Sequence, residues 1–256
     1  MNVVSERNRK MSDGLSVKNL CKDNILKNIS FKVAKGEMVA VMGPSGSGKS
    51  TLLYQVSGMD RATSGEVWLG STELCSLSED ELARMRLNRM GFVFQQMNML
   101  ANLNLIDNIV LPAHHTKKRK KSKEERNAYA KKLMEKLSIS ELADRKITEV
   151  SGGQLQRACI CRSMINQPEI LFADEPTGAL NQGASQEVIE ELRKLNEEGT
   201  TILMVTHDSK IASKCERILY LLDGGIRGEL SLADLKVEQE MEREARVNCW
   251  LTEMGW

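Results

Sequence analysis

No apolar run in this chain is long enough to cross a bilayer: the longest, such as Ile202 to Val205 and Ile218 to Leu222, fall far short of the roughly 20 residues a spanning helix needs. The first residues, MNVVSERNRKM, contain no apolar stretch. No secretory signal is therefore expected, and any membrane role has to come through a partner. Charge of one sign is also missing. The 36 basic residues balance 35 acidic ones, so the composition advertises no nucleic-acid partner. None of the six cysteines (Cys21, Cys75, Cys159, Cys161, Cys215, Cys249) pairs at the C-x-x-C spacing of a metal knuckle, and they read as reduced, partly buried thiols of a cytosolic protein. Neither an internal repeat nor a low-complexity array occurs.

What is present suits one sizeable core with a smaller lobe: 256 residues, 41% apolar and 28% charged. Residues 1–13 are polar and are expected to be a mobile leader. Strand-like runs follow at Leu15 to Leu20, Ile29 to Val33, Met38 to Met42 and Glu66 to Leu69. Ser78 with Glu81, and Ser122 with Glu125, read as capping boxes opening helices that run to about Met90 and Leu137. Further helices are expected from Ser151 and from about Gln182 to before Gly199. Short buried strands at Ile170 to Ala173, Thr201 to Val205 and Ile218 to Leu222 alternate with them, which argues for a parallel sheet covered on both faces. The stretch 97–165 lacks a buried strand and reads as a helical lobe inserted into an α/β core spanning 14–228. The segment 229–256 is amphipathic and should add one more helix.

Three segments carry the chemistry. Gly43, Pro44, Ser45, Gly46, Ser47, Gly48, Lys49, Ser50 and Thr51 follow an apolar strand and fit G-x-x-x-x-G-K-[ST]. Such a loop curls so that successive backbone N–H groups face phosphate oxygens, with the positive end of the next helix behind them. Lys49 would reach the β- and γ-phosphates and Ser50 would hold Mg²⁺. The second segment, Ile170 to Glu175, delivers two carboxylates to the carboxyl end of a strand: Asp174 for Mg²⁺, and Glu175 to orient the attacking water. In the third, Ser151, Gly152, Gly153 and Gln154 start a helix with exposed N–H groups beside a hydroxyl, a second phosphate-binding surface. With a triphosphate already gripped by Lys49, a second grip in the same subunit is redundant. Two copies facing head to tail make it necessary, each closing Ser151 on the other's ATP.

These motifs together resemble an ABC transporter ATP-binding subunit over about residues 15–228. The resemblance implies a P-loop NTPase core with a mostly parallel sheet, an N-terminal antiparallel β subdomain and an inserted helical subdomain. It implies a cytoplasmic ATP hydrolase, using ATP and Mg²⁺ and held at the inner face of the membrane by a permease. It also implies that Gln95 is the glutamine touching Mg²⁺ or water while coupling to the permease, and that His207 is the switch histidine at the γ-phosphate. The segments 102–112 and 174–181 are similar to the branch of macrolide exporters, lipoprotein-releasing systems and bacitracin-type peptide-resistance transporters. Asn181 stands where many relatives carry aspartate and reads as a subfamily variant.

The chain departs from the family in one place. Members usually stack adenine on an aromatic before the phosphate-loop strand, yet no Phe, Tyr or Trp occurs before Phe31. Cys21, Lys22 and Asp23 occupy that neighbourhood, so most nucleotide affinity is expected from the phosphates. The basic run 117–121 reads as a solvated loop, with anionic lipid or an acidic permease loop as the alternative contact. His114 and His115 have no nearby candidate ligand and suggest no metal site. Met97 and Met99 suit a surface gripping a partner helix.

DNA-bound chromosome-maintenance ATPases are disfavoured, because only 108 positions separate Gly43 from Ser151, with no coiled-coil heptads between. Translation-factor ATPases carry two cassettes, and a small-molecule kinase has no use for Ser151 to Gln154. The cargo expected from the branch is antimicrobial peptide, with lipid, lipoprotein or macrolide efflux as the alternative.

Overall fold

A computed structural model describes residues 14–116, 122–235 and 239–256. The expected leader 1–13 and the basic run 117–121 lie outside the described residues.

The sheet at the centre has six strands: β3 (Met38–Met42), β6 (Met90–Phe94), β7 (Ile170–Asp174), β8 (Thr201–Val205), β9 (Arg217–Leu222) and β10 (Gly225–Ser231), in the order β10-β9-β3-β8-β7-β6. The strands from β9 to β6 pair in parallel, and β10 closes the edge antiparallel to β9. Strands β3, β7 and β8 are buried at every residue, which is why their sequences are continuous rather than alternating. Pleating sends alternate side chains to opposite faces. Met38, Ala40 and Met42 join one core, while Val39 and Val41 join the other. A second, antiparallel sheet of β1 (Leu15–Lys22), β2 (Leu26–Val33), β4 (Ser64–Leu69) and β5 (Thr72–Glu73) has the order β2-β1-β4-β5 and packs into that second core.

Helices α1 (Lys49–Val56) and α2 (Glu79–Arg89) flank the sheets, and α3 (Leu105–His115), α4 (Lys123–Lys136) and α5 (Gly152–Met164) make the lobe between β6 and β7. Both expected capping boxes form, Ser78 with Glu81 and Ser122 with Glu125. Two of the elements that escaped the sequence reading bear on the site. Strand β6 contains Gly91, which reads as a breaker. A Cβ there would lie 2.8 Å from both the Ser163 carbonyl oxygen and a Leu171 methyl, so the glycine permits close packing instead. Helix α3 carries Pro112 inside it. Its start is fixed by Asn104, whose side chain accepts from Asp107 N–H at 2.8 Å.

The carboxyl half continues with α6 (Gln182–Glu197), α7 (Ser209–Ala212) and α8 (Glu240–Glu253). Strand β10 runs through Gly228 to Ser231, so the core does not stop at 228. Buried Arg243 anchors α8 by donating to the carbonyls of Ser213, Cys215, Leu232 and Leu235 at 2.6–2.9 Å, bonds that satisfy a cation taken out of water. Trp250 and Trp256 meet Tyr220 of β9 edge-on. Cys159, Cys161 and Cys215 are fully buried rather than partly. Burial pushes the Cys159 thiol up to about 11 and that of Cys215 up to about 12, which keeps both unreactive.

Candidate active site

Strand order decides the site. Strand β8 lies between β3 and β7, so the segments leaving the carboxyl ends of three neighbouring strands converge. These are the phosphate loop after β3, Asp174 and Glu175 at the end of β7, and His207 after β8. A crevice at that edge is where open α/β sheets bind ligands.

The loop is shaped by positions that only glycine can fill. Gly43 (φ +151°) would carry a Cβ 2.0 Å from the Leu221 carbonyl oxygen, and Gly48 (φ +102°) one 2.9 Å from a Leu26 methyl. Lys49 is buried, and its ammonium donates to the carbonyls of Gly43 at 2.7 Å and Pro44 at 2.9 Å. Burial lowers its pKa, opposed by the nearby charges of Glu175 and then Asp174. The Ser47 hydroxyl is buried in the loop with no hydrogen-bond partner, a cost that a phosphate oxygen would relieve.

Asp174 has a hydroxyl donor on each oxygen: Ser50 Oγ on Oδ1 and Tyr54 Oη on Oδ2, both at 3.0 Å. Burial, and then the bond to Asp174, raises the Tyr54 pKa, which keeps the phenol a donor. Glu175 sits at φ +45°, a left-handed conformation uncommon for a side-chain-bearing residue and concentrated at functional sites. That backbone is fixed by its N–H to Val205 O at 3.0 Å and its carbonyl accepting from Gly178 N–H at 3.0 Å. The turn brings Glu175 Oε1 to 3.2 Å from His207 Nδ1, at the rim of a cavity of about 690 Å³ that also reaches Thr177, Leu180 and Asp208. Gln95 lies against Gly178, where an added Cβ would meet its Nε2 at 2.9 Å and Glu175 Oε2 at 3.3 Å. It therefore faces the Glu175 side of the crevice. The donor set of Ser50, Asp174 and Gln95 is hydroxyl, carboxylate and amide oxygen, hard ligands that suit Mg²⁺.

Ser151, Gly152, Gly153 and Gln154 open α5, where a Cβ on Gly152 would meet a Leu180 methyl at 3.2 Å. Among the described residues no hydrogen bond or ion pair joins them to the phosphate loop. Ser151 caps α5 by accepting from Gln154 N–H at 3.3 Å, and Gln154 Oε1 accepts from Ser151 N–H at 2.9 Å. The two glycines do more than expose N–H groups: a Cβ on Gly153 would meet the Ala184 Cβ at 2.9 Å, so Gly153 is buried where α5 and α6 touch. Asn181 caps α6, its Oδ1 accepting from Ala184 N–H at 3.0 Å, a task asparagine performs as well as aspartate.

Beside the lobe, Arg162 grips the carbonyls of Met97 at 2.8 Å and Asn98 at 2.7 Å, and buried Asn108 holds the backbone of Leu100 through both its N–H and carbonyl. Met99 packs on the core, whereas Leu100 is 47% exposed. His114 and His115 end α3, and among the described residues no three His, Cys, Asp or Glu side chains cluster as metal ligands would.

The segment 21–25 carries no aromatic to stack adenine. Lys22 turns to Asp60 and the Arg61 carbonyl, and Asp23 binds Thr63, so neither faces the loop. Ile25, 45% exposed, lies beside Gly48 instead. The sequence signal was only an apolar residue in a polar turn.

A family model described as ABC transporter matches residues 26–178. The chain is 43% identical to the macrolide export ATP-binding/permease protein MacB of Campylobacter jejuni over 89% of its own length, and spans 35% of that protein. It is 42% identical to the bacitracin export ATP-binding protein BceA of Halalkalibacterium halodurans, over 84% of each chain. Among solved structures, the dimeric cassette MJ0796 bound to ADP and Pi is similar at 38% identity, with a TM-score of 0.79, over 85% of this chain and 98% of that one. The chain belongs to the ABC transporter family and contains its ATP-binding cassette.

Proposed function

We propose that this cassette hydrolyses MgATP between two copies of itself and drives a membrane permease that exports antimicrobial peptides or protects against them. The observation that carries the catalytic part is the Glu175–His207 contact at 3.2 Å, beside a carboxylate held by Ser50. When bound, MgATP supplies the phosphoanhydride whose γ-phosphoryl group passes to water. Lys49 exchanges two loop carbonyls for phosphate oxygens, and Ser47 gains the acceptor it lacks. Ser50, Asp174 and Gln95 would hold the metal. Glu175 orients the attacking water and draws on its proton, with His207 steadying the carboxylate. Ser151 to Gln154 of one copy cover the nucleotide of the other. The dimeric form of the MJ0796 cassette supports this reading.

The cassette then acts at the inner face of the membrane, docked through the segment 97–103 that Arg162 and Asn108 hold in shape. A peptide cargo is supported by the bacitracin export protein, which matches over most of its length. Macrolide efflux is the second reading, favoured by the MacB relatives. Glu175→Gln tests the core of the proposal. ATP binding should persist, hydrolysis should slow by roughly 10² to 10⁴-fold, and an ATP-bound dimer should accumulate on sizing with Mg²⁺. An unchanged rate would remove Glu175 from this role.

A further inference from the structure

Asp174 is held by two hydroxyls from one helix. Ser50 and Tyr54 are four residues apart on α1, so they share a face, and that face looks onto the end of β7. Each donates to a different oxygen of the same carboxylate, at 3.0 Å. Ser50 belongs to the phosphate-loop pattern, whereas Tyr54 lies outside it and no step described above uses it. Its ring packs on the core beneath the antiparallel sheet, and its backbone is pinned: the carbonyl accepts from Met59 N–H at 2.9 Å, Asp60 N–H at 3.2 Å and the Ser57 hydroxyl at 3.2 Å. The phenol therefore approaches Asp174 from a fixed point.

A carboxylate that is buried but free to turn about its last bond can offer a cation either oxygen, or neither. With Oδ2 tied to Tyr54, the remaining oxygen faces Ser50, so the two hard donors face one point. We propose that Tyr54 is a positioning residue for the divalent cation of this site, orienting Asp174 without touching metal or nucleotide. The inference rests on the reading of Ser50 and Asp174 as Mg²⁺ ligands. Outer-shell hydrogen bonds of this kind are typically worth 10- to 100-fold in metal affinity.

The test is Tyr54→Phe, which keeps the ring and removes only the hydroxyl. Binding of a fluorescent ATP analogue is measured without divalent metal in EDTA, then as Mg²⁺ is titrated in, and Mn²⁺ binding is followed by electron paramagnetic resonance. Metal-free nucleotide affinity should change less than about twofold, and half-saturating Mg²⁺ and the Mn²⁺ dissociation constant should rise about 10-fold or more. Hydrolysis should recover towards the parent rate at saturating Mg²⁺, a concentration-dependent rescue that a loosened fold would not give. An unchanged Mg²⁺ requirement overturns the proposal, as does an equal loss of binding with and without metal. If the parent protein itself shows no Mg²⁺ dependence, the reading of Ser50 and Asp174 fails first, and the two failures are thereby told apart.

Discussion

The two surfaces proposed to face phosphate, the phosphate loop and the start of α5, are built in opposite ways. Around the phosphate loop, the polar contacts span the sequence: Ser50 and Tyr54 reach Asp174 across 124 and 120 residues, and Glu175 meets His207 across a strand crossover. At the start of α5, Ser151 and Gln154 satisfy each other three residues apart. A surface knit from distant segments exists only once the sheet has formed, and it then arrives preorganised. One capped locally is complete as a helix end. In the proposed dimer it would meet a nucleotide presented by another copy.

This contrast can be broken at three positions. The largest effect is expected from Lys49→Ala. The change removes a buried ammonium that would donate to two phosphates, at about 1.5–3 kcal/mol for each charged hydrogen bond. Nucleotide affinity should fall by 10²-fold or more in equilibrium binding, and retained binding would mean the loop is not the main grip. An intermediate case is Leu100→Asp, at an exposed residue beside the lobe. Isolated ATPase activity should stay nearly intact while co-purification with the permease and any peptide resistance are lost. Retained association would move the docking surface elsewhere. Met99→Asp is a poorer probe, because Met99 packs on the core and its loss would disturb the fold.

The smallest effect concerns Asn181. Its structural task is to cap α6, so Asn181→Asp should leave thermal stability unchanged, while Asn181→Ala should cost about 1 kcal/mol. Calorimetry of the two variants separates capping from catalysis. A large loss of hydrolysis in Asn181→Asp, at unchanged stability, would show that the amide itself takes part.

Contiguous patterns were legible in the sequence. The phosphate loop, the apolar strand ending in Asp174 and Glu175, and the capping boxes at Ser78 and Ser122 are each specified within a few residues, because curling a backbone or closing a helix end is local chemistry. What escaped depends on neighbours. Gly91 sits in a strand because Ser163 and Leu171 crowd it, and α3 runs past Pro112. The absence of an early aromatic was visible at once, but not that Lys22 and Asp23 turn towards residues 60–63 and leave Ile25 beside the loop.

The sequence alone thus determined the phosphate-loop pattern and the carboxylates proposed to act beside it, since a loop of fixed spacing needs no other part of the chain to define it. Only the tertiary structure decided how they meet. Strand order put β8 between β3 and β7, so His207 came to Glu175 and Tyr54 to Asp174. Those distances belong to the pairing of a parallel sheet, whose partners are chosen by burial across the whole core rather than by any local run of residues.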